Sequence, residues 1–251
     1  MQVKYEWKPK NLVNLTKKFL RVYSDEILSF YCLSMVDTIK LGMKEKCPLC
    51  NTLSPMFYED MQRYCRCPEC KAVFVIKADL PKPDEEVERY ELHDSDTADA
   101  GYRKFVSPIT NAVIQNCKTS EEGLDFGAGT SAIIATILEE NGFDIKKYDP
   151  YFHNYPENLE QQYDYICSCE VIEHFYNPAK EFTLLHSLLK TNAKLYLMTD
   201  IYDEAVDFAS WYYKNDPTHV FLYSHETFVW IKEHFGFKEL SIEKRFVTLK
   251  L

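Results

Sequence analysis

Four cysteines stand in two Cys-x-x-Cys pairs, CPLC and CPEC, at Cys47, Cys50, Cys67 and Cys70. Each pair can place two thiolates at one corner of a tight turn, and two such pairs supply the tetrahedral donor set of a structural zinc ion. The spacing therefore predicts zinc bound by these four residues. Cys65 is a second candidate for the third ligand, and the symmetry of the two pairs favours Cys67. The zinc would either stabilise a segment too small for its own core or take part in substrate binding.

A glycine-rich turn follows later, in LDFGAGT at residues 124–130. An apolar run ends at Asp125, and Gly127 and Gly129 come before an apolar helical pattern. Glycines allow a ligand to approach the backbone closely, and the helix beyond them presents unpaired N–H groups. Asp149 ends the next apolar run, where a carboxylate can accept both ribose hydroxyls of an adenosine. The sequence therefore predicts a cofactor site at Asp125, Gly127, Gly129 and Asp149.

Two carboxylates and an imidazole follow a third apolar run, at Glu170, Glu173 and His174. On a helical turn, residues at i, i+3 and i+4 share one face, which here would lie at the carboxyl edge of a sheet. Such a donor set suits Mg²⁺ or Mn²⁺, and a bound ion would lower the pKa of a substrate hydroxyl group that it contacts. Two alternatives stay open: a metal-free site with a histidine as base, and a purely structural turn.

The elements that position these residues alternate between strand and helix. This alternation implies right-handed crossovers, and the expected fold class is α/β with a doubly wound, mainly parallel sheet. The expected helices are residues 101–116, 130–141, 178–189 and 226–235, and the expected strands are 123–126, 145–148, 163–168 and 194–199, with two more within 238–251.

Composition suggests how the rest of the chain is organised. Apolar residues spaced by three and four predict a helix at residues 11–41, and residues 78–88 are rich in proline and acidic residues. The expected domains are a helical N-terminal extension at 1–45, a zinc-ribbon-like segment at 46–80, a linker at 81–100 and the α/β domain at 101–251.

Charge and hydropathy limit the partners and the location. The chain of 251 residues is 46% hydrophobic, yet it contains no apolar run long enough to cross a membrane and no apolar export signal. We therefore expect a soluble cytoplasmic protein with reduced cysteines and no membrane partner. The formal net charge of −10 opposes binding to phosphate backbones, so nucleic acid is disfavoured as a partner.

From about residue 90 onward the chain resembles the class I S-adenosylmethionine-dependent methyltransferases. In that family a D/E-x-G-x-G turn cradles the amino acid end of the cofactor, and an acidic residue after the second strand holds the ribose. Asp125, Gly127, Gly129 and Asp149 match these positions, and residues 163–178 (YDYICSCEVIEHFYNP) resemble the fourth strand and its turn. The resemblance implies a Rossmann-like methyltransferase sheet and S-adenosylmethionine as cofactor. Between Asp149 and residue 163 the chain is too short and polar for a third strand, so the adenine contacts do not carry over.

The resemblance also implies roles for individual residues. Some O-methyltransferases of small RNA and of quinone pathways carry a similar E-x-x-E-H, which binds a divalent ion together with a later histidine. His219, within DPTHVFLYS, would match that histidine, so Glu170, Glu173, His174 and His219 would be the Mg²⁺ or Mn²⁺ ligands. In the metal-free alternative His174 or His219 is the base, and we take His174, His219 and Glu170 as the catalytic candidates.

The segment before the first helix of the α/β domain folds over the cofactor in relatives. By that resemblance Tyr102, Arg103 and His93 would contact the cofactor, and Tyr102 is the residue we assign to the site.

Three functions are compatible with these features. The leading hypothesis is a methyltransferase that acts on a small molecule, on oxygen. The second is an RNA or protein methyltransferase that uses the zinc ribbon to dock its substrate. The third is a non-catalytic zinc-ribbon adaptor with a cofactor-binding fold, and the intact Asp125, Gly127, Gly129 and Asp149 argue against it.

Overall fold

The computed structural model describes residues 43–82 and 99–251. The helix expected at 11–41 and most of the linker expected at 81–100 lie outside the described residues. Residues 44–251 belong to one compact unit.

An antiparallel meander surrounds the two cysteine pairs. Its strands are β1 (Lys44–Lys46), β2 (Leu53–Glu59), β3 (Arg63–Arg66) and β4 (Val73–Val75). One cysteine pair lies between β1 and β2 and the other between β3 and β4. The two turns are alike: Asn51 and Lys71, the residues that follow each pair, both have a left-handed φ of 62°. In each turn the first cysteine donates its N–H to a carbonyl five residues on, at 2.9 Å in the first and 2.8 Å in the second.

A strand from the far end of the chain completes this sheet. Strand β9 (Phe221–Leu222) pairs antiparallel with β4, and the five-stranded sheet has the order β1-β2-β3-β4-β9. The zinc-ribbon-like segment is therefore continuous, through backbone hydrogen bonds, with a segment of the α/β part.

The second sheet has six strands: β5 (Glu122–Phe126), β6 (Asp144–Tyr148), β7 (Tyr163–Cys169), β8 (Leu189–Met198), β10 (Glu239–Glu243) and β11 (Phe246–Lys250). They lie in the order β10-β11-β8-β7-β5-β6. Strands β5, β6, β7 and β8 run parallel, while β11 is antiparallel to both β8 and β10. From β5 the chain passes to β6 on one side and then to β7 and β8 on the other, so β5 and β7 flank a topological switch point, where open α/β sheets bind ligands.

Helices cover both faces of this sheet. Helix α1 (Ala100–Asn116) packs on α2 (Ile133–Glu140), and α3 (Pro178–Ser187) packs on α4 (His225–Phe235). Along β7, Tyr165 and Cys167 join the core that α1 and α2 form, while Ile166 between them is fully buried on the opposite face. The mixed α/β architecture expected from the sequence is confirmed.

The region between β6 and β7 contains only a short 3-10 turn, Pro156–Leu159, and residues 150–162, all described, contain no strand. The sequence expectation of no third strand here is therefore met. In the part of the chain that the structure describes, none of the helices has the length and apolar character needed to span a bilayer.

Candidate functional site

The glycine turn lies where β5 ends. Gly127 and Gly129 have left-handed φ values of 78° and 62°, which favour glycine. The amide of Gly127 donates to the carbonyl of Tyr148 at 2.8 Å, so the end of β6 fixes the turn. A Cβ on Gly127 would lie 2.4 Å from the Val171 side chain, whereas one on Gly129 would have no atom within 4 Å. The turn therefore packs against Val171 at Gly127 and is open at Gly129, where a ligand can approach the backbone.

Asp149 supports the open side of this turn. Its Oδ2 accepts the N–H of Gly129 at 3.1 Å, and its Oδ1 accepts those of Tyr151 at 2.9 Å and Phe152 at 3.1 Å. A carboxylate has about four lone-pair sites, so capacity for a further donor is left after these three bonds. Asp149 therefore shapes the turn, and its predicted bond to a ribose stays a prediction.

Asp125 lies beneath the turn and not in the open space. It is buried and accepts the N–H of Ala135, in the first turn of α2, at 3.1 Å. Burial raises the pKa of Asp125 to about 7. This carboxyl group therefore links the end of β5 to α2.

Tyr102, on α1, stacks on Phe105 with ring centroids 6.2 Å apart. Burial, followed by the charges of Cys169 and Asp125, raises the pKa of Tyr102 to about 12. Its predicted contact with a cofactor stays a prediction. The neighbouring Arg103 instead forms an ion pair with Glu140, and His93 lies outside the described residues.

The four predicted zinc ligands come together. The Sγ atoms of Cys47, Cys50, Cys67 and Cys70 all lie within 4.8 Å of one another. The Cys47–Cys70 separation is 3.6 Å and the Cys50–Cys67 separation is 3.3 Å. Zinc–sulfur bonds of about 2.3 Å give a tetrahedron with edges of about 3.8 Å, so this donor set fits zinc with small adjustments. Cys65 is fully buried on β3 and does not belong to the group.

A second set of potential ligands lies at the switch point, and we call Glu173, His174 and His219 the acceptor-side group. One ligand atom from each lies within 4.8 Å of the others. His174 Nδ1 is 2.9 Å from the carbonyl oxygen of Thr218, and His219 Nδ1 is 2.7 Å from that of Tyr213. Because a carbonyl only accepts, each Nδ1 carries the hydrogen and the neutral ring has its lone pair on Nε2. Metal-binding histidines are commonly oriented in this way.

Glu173 is completely buried within this group. The hydroxyl of Tyr213 donates to its Oε1, and that of Thr199 donates to its Oε2 at 3.0 Å. Burial, and then the nearby charge of Glu170, raises the pKa of Glu173 to about 8. The two hydroxyls therefore hold this carboxyl group in one orientation.

Glu170 stands apart from the acceptor-side group, so the expected common helical face does not form. Only Ile172–His174 is helical, as a 3-10 turn, and Glu170 has a left-handed φ of 53°. Its Oε2 accepts a hydrogen bond from Arg245 Nη2 at 2.6 Å and lies 3.2 Å from the Tyr213 hydroxyl. Burial raises the pKa of Glu170, although Arg245 opposes the shift. Glu170 and Glu173 thus meet at one phenol.

Three residues at this site had no role in the sequence prediction. Thr199 directly follows β8, at the same carboxyl edge as the other site residues, and this position could have identified it. Tyr213 lies in the short 3-10 turn Tyr212–Asn215, whose sequence shows no ligand or catalytic pattern. Arg245 lies in the turn between β10 and β11, with its guanidinium 5.4 Å from the ring centroids of Phe105 and of Tyr213. Its spacing to Glu170 gives no sequence signal.

Comparison with known proteins gives a family match and distant structural likenesses. A family model described as a methyltransferase domain matches residues 99–242. No curated protein sequence matches the chain.

Among solved structures, the chain is similar to 1,6-didemethyltoxoflavin-N1-methyltransferase of Burkholderia thailandensis, with 12% identity, a TM-score of 0.48, and coverage of 78% of this chain and 98% of that one. It is also similar to human N-acetylserotonin methyltransferase, with 9% identity, a TM-score of 0.45, and coverage of 59% of this chain and 53% of that one. An O-methyltransferase family protein from Burkholderia thailandensis has 12% identity and a TM-score of 0.47, with coverage of 69% of this chain and 64% of that one. The chain therefore covers less than two thirds of the length of the last two proteins.

Proposed function

The chain belongs to the methyltransferase domain family, and from that premise we propose that it uses S-adenosylmethionine to methylate an oxygen atom of a small-molecule acceptor. One observation carries the proposal: Glu173, His174 and His219 meet at the end of β7, beside the open glycine turn. A methyl donor in the turn and an acceptor at this group would be neighbours across the switch point.

The cofactor side has the features that a bound S-adenosylmethionine needs. The sulfonium of S-adenosylmethionine supplies an already activated methyl group. The open space at Gly129 admits a ligand to the backbone, and Asp149 keeps capacity for a ribose hydroxyl. Tyr102, on α1, is partly buried against the core that α1 and α2 form. We therefore assign Gly127, Gly129, Asp149 and Tyr102 to cofactor binding, with Asp125 supporting the turn from below.

On the acceptor side, methylation of a hydroxyl releases a proton that the site must accommodate. His174 and His219 each present a lone pair on Nε2, which can take that proton. The same lone pairs, with a Glu173 oxygen, also form a ligand set for a divalent cation, which would lower the pKa of the acceptor hydroxyl. Because Glu170 is held by Arg245, the set has two nitrogens and one carboxylate. Imidazole ligands of this kind favour Mn²⁺ over Mg²⁺.

Two further assignments complete the proposal. We assign zinc to Cys47, Cys50, Cys67 and Cys70, because the sulfur separations fit a tetrahedral site. The small-molecule acceptor is supported by the net charge of −10, which opposes association with nucleic acid.

A calorimetric titration tests the cofactor and the acceptor-side group together. After metal analysis, the purified protein is titrated with S-adenosylhomocysteine and separately with Mn²⁺ and Mg²⁺. We expect micromolar binding of S-adenosylhomocysteine and tighter binding of Mn²⁺ than of Mg²⁺. Glu173→Gln should weaken Mn²⁺ binding by roughly tenfold or more, while the matched control Glu170→Gln should change it by less than about threefold.

Each outcome has a definite meaning. Absence of S-adenosylhomocysteine binding would refute the methyltransferase assignment. Binding of S-adenosylhomocysteine without Mn²⁺ binding would assign proton removal to His174 and His219 alone. A screen with methyl-labelled cofactor then tests the acceptor class, with small phenols and hydroxy acids compared with total RNA and protein. Labelling of RNA or protein but of no small molecule would overturn the small-molecule assignment.

A further inference from the structure

The zinc-ribbon-like segment borders the acceptor side through the segment 213–223, which carries Tyr213, His219 and β9. The amide of Val75, in β4, donates to the carbonyl of Val220 at 2.9 Å. On its other side, the amide of Val220 donates to the carbonyl of Glu173, also at 2.9 Å. One residue next to His219 therefore joins the ribbon sheet directly to the turn that bears Glu173 and His174.

Gln62 forms a second connection, at the hairpin between β2 and β3. The side chain is buried, and its Nε2 donates to the carbonyl of Pro217 at 3.0 Å and to that of Asp79 at 3.2 Å. The hydroxyl of Tyr64, on β3, lies 3.1 Å from Gln62 Oε1 and 3.2 Å from the carbonyl oxygen of Lys214. Two ribbon side chains thus hold the backbone of 213–223 on the N-terminal side of His219.

Packing joins the same two regions. The ring of Tyr213 belongs to a buried cluster whose other members come partly from the ribbon, namely Tyr64, Val73 and Val75. The phenol of Tyr213 contacts Glu170 and Glu173 at its outer end. The orientation of this phenol therefore depends on ribbon side chains as well as on its own loop.

We infer that the zinc-ribbon-like segment supports one side of the catalytic site. In particular, Gln62 is a positioning residue that holds segment 213–223 so that Tyr213 and His219 face Glu173. The inference rests on the proposed function only in treating Tyr213 and His219 as site residues. A ribbon that served only to dock a macromolecule would not need buried polar bonds to the loop of the acceptor side. Gln62 instead donates to the backbone carbonyl of Pro217, in that loop, and to that of Asp79, and its removal takes a donor away from both.

The test uses the full chain, one variant at Gln62 and one control at the exposed Gln162. Gln62→Met keeps the length of the side chain and removes its hydrogen bonds. Gln162→Met is the control, because the Gln162 amide also donates to two backbone carbonyls, of Ser187 at 3.1 Å and of Leu189 at 3.3 Å, at the opposite end of β7. Amide hydrogen exchange is measured by mass spectrometry, with zinc content and S-adenosylhomocysteine affinity determined on the same samples.

In Gln62→Met we expect exchange in peptides covering 213–223 to accelerate by roughly tenfold or more, because a buried hydrogen-bonding partner is lost. Peptides covering 124–131 should be unchanged, zinc should be retained, and affinity for S-adenosylhomocysteine should stay within about twofold. Gln162→Met should leave 213–223 unchanged. Unchanged exchange in Gln62→Met, or equal acceleration in the control, would overturn the inference.

A spectroscopic readout separates positioning from general loosening. In protein labelled with ¹⁵N-histidine, His219 should be a single Nδ1–H tautomer, because its Nδ1 faces the carbonyl of Tyr213. The signal is assigned with His219→Gln. Gln62→Met should convert it to a tautomer mixture, and the milder Tyr64→Phe should shift it in the same direction. A pure Nδ1–H tautomer in both variants would refute the positioning role, and this result does not depend on whether any acceptor is found.

Discussion

The cofactor side and the acceptor side of the switch point are built in different ways. On the cofactor side, the hydrogen bonds that shape the glycine turn join neighbouring strand ends: Gly129 to Asp149, and Gly127 to Tyr148. On the acceptor side, the fixing contacts come from distant parts of the chain, including Val75 to Val220 and Arg245 to Glu170. The first side is a local strand–turn–helix unit, and the second is assembled from several segments.

This difference predicts which substitutions impair each side of the site. A local unit needs only the sheet and one helix, since few contacts must be brought together from far along the chain. An assembled side depends on every segment that contributes to it, here including the zinc-ribbon-like segment. Damage to the ribbon should therefore impair the acceptor side and leave cofactor binding largely intact, and the variants below test that separation in order of decreasing effect.

The largest effect is expected for Cys67→Ser, which removes one of the four clustered thiols that we assign to zinc. Structural zinc contributes on the order of 10 kcal/mol to small metal-binding segments, so we expect loss of zinc and a fall of more than about 5 kcal/mol in the free energy of unfolding. Because β9 belongs to the ribbon sheet, the damage should reach His219. Metal analysis measures the loss of zinc, and denaturant unfolding measures the change in the free energy of unfolding.

Cys65→Ser is the matched control for this variant. Cys65 is equally buried but lies outside the zinc group. Zinc should therefore be retained, with a loss of about 1–2 kcal/mol for placing a hydroxyl in an apolar site. A stable Cys67→Ser protein with full zinc would show that another residue is the ligand.

The next effect concerns the pH dependence of stability and isolates the cofactor side. Burial raises the pKa of Asp125 from 3.8 to about 7. Between these values the folded state keeps a proton that the unfolded state has released, so stability falls as pH rises from about 4 to about 7. The full effect is up to about 4 kcal/mol.

Asp125→Asn has no titrating group at this position and should lose that part of the slope. Urea unfolding of both proteins at intervals from pH 4 to pH 8 measures the difference. If the two stability curves run parallel, Asp125 does not carry the proton.

The contrast between the two sides also explains how much could be predicted from the sequence. The six strands and four helices of the α/β part follow their hydropathy patterns to within a few residues, except β8, which starts at Leu189 and not near residue 194. Strand β9 was missed because two residues have no periodicity, and they form a strand only by pairing with β4, far earlier in the chain.

The residues of the site divide in the same way. The turn at Gly127 and Gly129 is visible in the sequence because its parts are adjacent. Glu173, His174 and His219 do come together, as the family resemblance implied, but the position of Glu170 beside Arg245 could not be predicted. A contact over such a separation follows from the whole sheet order and leaves no local pattern.

A smaller effect, on cofactor affinity, is expected when a methyl group is added to the glycine turn. In Gly127→Ala the new Cβ would lie 2.4 Å from Val171 and would sit on a left-handed backbone. Overpacking and the unfavourable φ together cost about 3 kcal/mol in the native turn geometry, so the free variant relaxes away from it and must regain it to bind, and affinity for S-adenosylhomocysteine should fall roughly a hundredfold. Calorimetry measures this change.

Gly129→Ala is the matched variant, because nothing lies within 4 Å of its Cβ and only the φ of 62° is unfavourable. A loss of about 1–2 kcal/mol, roughly tenfold in affinity, is expected. Val171 is next to Glu170, so Gly127→Ala should also disturb the acceptor side, and adding Val171→Ala should restore part of the affinity. No rescue would mean that the contact with Val171 is not what restricts the turn.

The smallest effect is expected for Tyr213→Phe, which changes the acceptor side without touching the ribbon. The lost hydroxyl donates to Glu173 and lies 3.1 Å from Thr199 Oγ1, inside a fully buried cluster. Removing one donor from a buried carboxyl group costs about 1–3 kcal/mol in the free energy of unfolding. The neighbouring Tyr212→Phe is the control, because that ring is 60% exposed and its hydroxyl bonds to Arg245 at the surface, so we expect a change within about 0.5 kcal/mol. Affinity for S-adenosylhomocysteine should be unchanged in both, since neither hydroxyl contacts the glycine turn. Equal losses of stability in the two variants would mean that the buried phenol does not organise the carboxylates.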